Sequence, residues 1–170
     1  YMLKVNRDGS TDVTETYKVK MSDTQMGLSS GIKTDWMYNQ LIISNLTCDK
    51  GYAIQAYNSF EFGFRKLPPK LDQTITLKYK VKGAVLPDTA GARFQWRIYT
   101  PHSATIKSIR ITFPDKAVPA DTKILQIISG DETFQKYKEI NSSIRGNEVT
   151  FIPGKLYSSI TDISTSLPED

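Results

Sequence analysis

Cysteine and histidine are almost absent from this chain: Cys48 and His102 stand alone among 170 residues. One cysteine rules out an internal disulfide, and because exported domains without disulfides exist, it leaves the compartment open. A structural zinc site, which takes about four Cys or His ligands, has nothing to draw on. A Ser–His–acid or Cys–His centre would have to use His102, which sits in a Pro101-His102-Ser103 turn without a nucleophile signature. No apolar run approaches the ~20 residues of a membrane-spanning helix, and no signal peptide is visible. Charge of either sign is also in short surplus. Lys and Arg number 22 against 18 Asp and Glu, a net of +4, and no nucleic-acid-binding motif accompanies that excess, so nucleic acid is a poor partner.

Other chemistries fail on spacing. The stretch Gly27-Leu28-Ser29-Ser30-Gly31-Ile32-Lys33-Thr34 looks like a phosphate loop, but three residues separate its glycines and Ile32 takes the lysine's place. Asp49, Asp88, Asp115, Asp121 and Asp131 are isolated turn acids, without the clustering that calcium needs. Glu15, Glu61 and Glu148 interrupt apolar patterning within expected strands. A carboxylate-based hydrolase would need two such acids to meet in space, and strand-face charge is the simpler reading. No cofactor is implied.

What the chain does have is alternation. Aromatic residues make up 11%, and they favour extended segments with large buried areas. Residues 1–5 form an apolar strand, Asn6-Arg7-Asp8-Gly9-Ser10 is turn chemistry, and a second strand starts at Thr11. There Val13, Tyr17, Val19 and Met21 face one way and Thr14, Thr16, Lys18 and Lys20 the other, with Glu15 on the apolar side, expected near the strand's end. Residues 74–82 repeat the pattern: Ile75, Leu77, Tyr79 and Val81 against Thr76, Lys78, Lys80 and Lys82. Further strands are expected at 40–47, 52–58, 60–65, 93–99, 105–113, 122–129 and 148–152, with Pro87-Asp88, Pro101, Pro114-Asp115 and Gly146-Asn147 between them. Residues 22–39 read as an irregular loop. Residues 131–140 stay open between a short helix and a ribbon strand, and the tail from Tyr157 suits a final strand.

The expected fold is therefore all-β: a two-sheet antiparallel β-sandwich of about nine or ten strands, with an open barrel as the alternative. Residues 1–170 read as one domain, cut from a longer protein. Its length allows roughly 70% of the unfolded chain's surface to be buried without metal or disulfide.

Four stretches, in order, resemble a known family. They are Asp8-Gly9-Ser10-Thr11-Asp12-Val13-Thr14-Glu15-Thr16-Tyr17, then Ile75-Thr76-Leu77-Lys78-Tyr79-Lys80-Val81 followed by Asp88, then Phe94-Gln95-Trp96, then Ile109-Arg110-Ile111-Thr112-Phe113-Pro114. Together they resemble the extracytoplasmic N-terminal domain of the bacterial YciQ-like predicted-membrane-protein family, a domain of unknown function. An arginine–proline segment common in those domains is missing from residues 22–39, and residues 131–140 have no counterpart. The resemblance implies an exported domain at the cell surface or periplasmic side, tethered by a following membrane segment, with no assigned activity and no catalytic residues. A small lipoprotein-type β domain is the competing family.

Two surfaces are candidates for binding. Lys18, Lys20, Lys78, Lys80 and Lys82 would form one basic stripe if their strands lay side by side, suited to an anionic lipid surface, a cell-envelope polymer or another envelope protein. A solvated face or a guarded sheet edge explains the same lysines without a ligand. Trp36, Tyr38 and the alternating Phe60, Phe62 and Phe64 could offer a sugar-stacking platform, against the simpler reading that they fill the core. The leading expectation is a non-enzymatic, membrane-anchored module. A carbohydrate-binding module is the alternative, and a hydrolase ranks behind both. Asn45-Leu46-Thr47 and Asn141-Ser142-Ser143 are formal glycosylation sequons.

Overall fold

The computed structural model describes residues 1–20, 27–33, 35–36, 39–56, 59–65, 71–88, 91–99, 106–114, 124–129, 136–152 and 160–167. These residues form strands and turns only, without a helix. In chain order the strands are β1 (Met2–Val5), β2 (Thr11–Lys20), β3 (Gly27–Lys33), β4 (Asp35–Trp36), β5 (Asn39–Gln40), β6 (Ile42–Cys48), β7 (Tyr52–Ala56), β8 (Ser59–Arg65) and β9 (Asp72–Lys82). They continue as β10 (Val85–Asp88), β11 (Gly91–Tyr99), β12 (Ile109–Thr112), β13 (Ile124–Ser129), β14 (Lys136–Ile140), β15 (Ser142–Arg145), β16 (Glu148–Phe151) and β17 (Ile160–Leu167).

Seven strands make the principal sheet, in the order β15-β16-β12-β1-β2-β9-β6. Its axis is the β2–β9 pair, antiparallel from Thr11 opposite Val81 to Lys20 opposite Asp72. Because side chains alternate across a strand, this register puts Val13, Glu15 and Tyr17 on one face with Ile75, Leu77, Tyr79 and Val81, all of them buried. Leu3 and Val5 from β1, Ile109 and Ile111 from β12, and Val149 and Phe151 from β16 extend the same buried face. Ile75, Leu77, Val81, Ile109 and Ile111 are fully inaccessible to solvent. Burying an aliphatic side chain of this size contributes about 1.5–3 kcal/mol, so this face is where the fold's stability concentrates.

The other described strands form a five-stranded sheet, β10-β11-β17-β13-β14, a three-stranded one, β3-β8-β7, and the small β4–β5 pair. Phe94 of β11 and Ile124 of β13 belong to the same buried cluster as the principal sheet. The Phe94 ring meets Phe113 edge-on at 6.2 Å between centroids, a favoured aromatic geometry.

The turns follow their residues. Between β1 and β2, Gly9 takes φ +75°, its amide donates to the Asn6 carbonyl at 3.0 Å, and the Asp8 carboxylate accepts from the Ser10 amide and hydroxyl. Between β15 and β16 a two-residue loop places Gly146 at φ +59°, while Asn147 keeps a negative φ. That combination is the type II′ hairpin turn. Asn45, the only described non-glycine residue at positive φ, sits where the β6–β9 register shifts between Ser44 and Thr47, a bulge that asparagine tolerates.

Four expectations need correction, and one left open is decided. The principal sheet is mixed: β1 pairs parallel with β12, Met2 opposite Arg110, and the Arg110 amide donates to the Tyr1 carbonyl at 2.9 Å. Parallel neighbours need a long connection, and no local pattern announces a partner more than a hundred residues away. Seventeen strands occur among the described residues, where about nine or ten were expected, because several are short edge pieces with little alternation. Residues 22–39 contain β3, β4 and the start of β5; glycines and serines masked β3, which is held by pairing with β8, and β4 and β5 pair with each other. Residues 136–140 are a strand paired with β13, not part of a helix; residues 131–135 lie outside the described ones. Pro87 and Asp88 lie inside β10, where proline is tolerated because β10 is an edge strand.

Candidate interaction surface and a buried carboxylate

The outer face of the principal sheet is the complement of its core. On β9, Lys78 and Lys82 are exposed and Lys80 is half-buried; on β2, Lys18 and Lys20 are exposed. All five expected lysines therefore share one face of one sheet. They form two groups along it, since Lys18 lies opposite Thr74 and Thr14 opposite Lys78. That four-residue offset is about 13 Å along the strands.

Neighbouring strands add basic groups that sequence reasoning did not include. Lys4 of β1 lies opposite Asp12, Arg110 of β12 opposite Met2, and Arg145 of β15 opposite Glu148; Lys4, Arg110 and Arg145 are exposed. Parity within β1, β12 and β15 carried this signal, but the order of the strands across the sheet did not. Acids on the face are fewer: Asp12, Asp72 and Glu148, on β2, β9 and β16. Asp12 pairs with Lys80 at 3.3 Å and Glu148 with Arg110 at 3.4 Å. These half-exposed pairs contribute little to stability. Asp8, in the adjoining turn, has its carboxyl lowered by its Ser10 hydrogen bonds and, more weakly, by Lys80 and Lys82. Eight basic groups against three acids on the strands, with Asp8 and Asp49 at the margins, leave this face net positive. Six strand spacings make it about 29 Å wide. Met2 and Ile42, 50% and 61% exposed, are apolar side chains on the same face.

At the β6 end, the Asp49 carboxylate accepts from the Thr76 amide at 2.7 Å while its own amide donates to the Thr76 carbonyl. Thr47, Cys48, Asp49, Thr76 and Lys78 line a shallow depression of about 310 Å³ there. Burial pushes the Cys48 thiol up, with Asp49 adding to the shift, so the thiolate is disfavoured. Trp36 pairs through its backbone with Asn39. Its side chain, Tyr38, His102 and the Phe60, Phe62 and Phe64 side chains lie outside the described part of the molecule.

Glu15 occupies the opposite face. It stands in the middle of β2, not near its end, and is 5% exposed. The Tyr79 hydroxyl donates to its Oε1 at 2.5 Å and the Tyr17 hydroxyl to its Oε2. A further side-chain hydrogen bond joins Tyr1 to Tyr17, and their rings meet edge-on at 6.4 Å. Burial raises the Glu15 carboxyl above the ordinary glutamate range, and the two tyrosine donors hold back part of that rise. Burial and the Glu15 charge also push the Tyr17 and Tyr79 phenols up, so both remain protonated donors. Both carboxylate oxygens are thus engaged, and Glu15 is the one buried acid among the residues whose side chains are described. The described residues contain no cluster of three or more metal-ligating side chains.

The family model for the Predicted membrane protein (DUF2207) N-terminal domain matches residues 1–157. The chain belongs to this family. No curated protein and no solved structure matches it. The matched span of this DUF2207 domain contains the whole principal sheet, both of its faces and the Glu15 cluster; β17 lies beyond it. No helix among the described residues is long and apolar enough to cross a membrane.

Proposed function

We propose that this domain is a non-enzymatic binding module, carried outside the cytoplasm by a membrane-anchored protein of the YciQ-like type, with the basic sheet face as its contact surface. The observation that carries the reading is the gathering of Lys18, Lys20, Lys78, Lys80 and Lys82 with Lys4, Arg110 and Arg145 on one open sheet face. Glu15 supports the non-enzymatic part. Its oxygens are occupied by tyrosine hydroxyls inside the core, which suits a structural acid better than a general acid or base. The sharing of one buried cluster by Phe94, Ile124 and the principal sheet supports a two-layer sandwich, with the five-stranded sheet as the second layer.

Sidedness is tested on the full-length protein in intact cells with a membrane-impermeant amine reagent. Modification of the Lys78 and Lys82 peptides without lysis is expected. Modification only after permeabilisation would reject the extracytoplasmic placement.

A further inference from the structure

We infer that the outer face of the principal sheet docks on an anionic bilayer surface, with its basic side chains over lipid phosphates and Met2 and Ile42 at the headgroup boundary. This rests on the reading of that face as the contact surface, and it names the partner. Three observations favour a bilayer over a polymer chain or a folded protein. First, the positive groups spread over strands from β15 to β9 instead of lining a groove, so they match an areal array of charge and not a single thread. Second, two of the four large apolar side chains exposed among the described residues, Met2 and Ile42, lie among these cations. Met2 is flanked by Arg110 across the β1–β12 pairing, and Ile42 lies opposite Lys82. Apolar side chains set among cations are what a headgroup interface accepts. Third, the family is described as a membrane protein, so a bilayer is within reach of the domain at high effective concentration.

Between the lysines the face carries threonines, Thr14, Thr16, Thr74 and Thr76. Their short hydroxyls let long lysine side chains reach past them to phosphate. The three acids weaken the attraction without cancelling it. Each basic group near an anionic leaflet strengthens binding roughly fivefold.

The test uses the 170-residue chain and two sets of sedimentable vesicles: equal parts phosphatidylglycerol and phosphatidylcholine, and phosphatidylcholine alone. Binding to the mixed vesicles, none to the neutral ones, and loss of binding in concentrated salt are expected. The variant K78Q/K82Q should lower binding about 25-fold. K107Q/K138Q removes the same charge from exposed sites outside the strands of this sheet and should change binding less than about threefold. Both pairs are exposed lysines, and unchanged circular dichroism and Tm confirm that folding is intact. Equal losses in the two variants would overturn the inference, because net charge and not this face would then be acting. Binding to soluble polyglutamate but not to mixed vesicles would overturn the lipid assignment while leaving the face a contact surface. Failure to bind either would remove both.

Discussion

Glu15→Ala tests the buried cluster directly. Truncation removes the acceptor for two phenolic protons, those of Tyr17 and Tyr79, in a region where Tyr79 is 4% exposed and Tyr17 9%. A buried hydroxyl stripped of its partner costs about 1–3 kcal/mol, and the vacated volume adds a cavity cost. Relief of the buried carboxyl's own desolvation works in the other direction. The balance lies near 3 kcal/mol of lost stability at neutral pH. For a chain of this size that is a fall in Tm of about 6–12 °C. Tyr17→Phe with Tyr79→Phe should be at least as damaging, because it leaves the carboxyl buried without donors. The triple variant Glu15→Met, Tyr17→Phe, Tyr79→Phe removes the carboxyl and both of its donors together, at the cost of the Tyr1–Tyr17 bond, and should lie within about 2 kcal/mol of the parent. Urea unfolding followed by tryptophan fluorescence measures all three, and the cycle isolates the coupling. A triple variant less stable than Glu15→Ala, or a Glu15→Ala cost below about 1 kcal/mol, would refute the claim that the three groups act as one satisfied unit.

Three further outcomes are expected. Because burial raises the folded-state pKa of Glu15 above its unfolded value, its contribution is full below the unfolded carboxyl pKa, about 4.3, and is lost as pH rises through the folded value. Parent stability relative to Glu15→Gln should accordingly decline with rising pH across that window, and a parallel pair of pH profiles would show that the group does not titrate differently on folding. Leu77→Ala, at a fully inaccessible site on the β9 core face, should cost about 2–5 kcal/mol by urea unfolding, whereas Lys78→Ala beside it should cost less than about 0.5. Gly146→Ala should destabilise by about 1–2 kcal/mol although open space surrounds the added methyl, because the loss comes from φ +59°; an unchanged urea midpoint would contradict the II′ turn.

Much of the principal sheet can be read from alternation. The two faces of β2 and β9 and the opening turn with its glycine are all local information, the faces carried by a two-residue period. The lysines were legible for the same reason, since parity within a strand places them opposite Ile75, Leu77 and Tyr79. The breaks in the pattern were less legible. Glu15 looked like charge near a strand's end because its acceptor role depends on Tyr79, 64 residues away. The strands β3 and β15 have weak alternation and are defined by the neighbours that pair with them.

From the sequence alone came an all-β chain without a disulfide or zinc framework, and the identity of the side chains that go inward or outward along each strong strand. These follow from ligand chemistry and from the pleat of an extended backbone, which need no knowledge of neighbours. Tertiary structure decided which strands lie side by side. It set β1 parallel to β12, closed two tyrosines over a carboxyl, and brought basic groups from five strands onto one face. Those outcomes depend on contacts between residues remote in the chain, where hydrogen-bond registration and shared burial, not local period, select the partner.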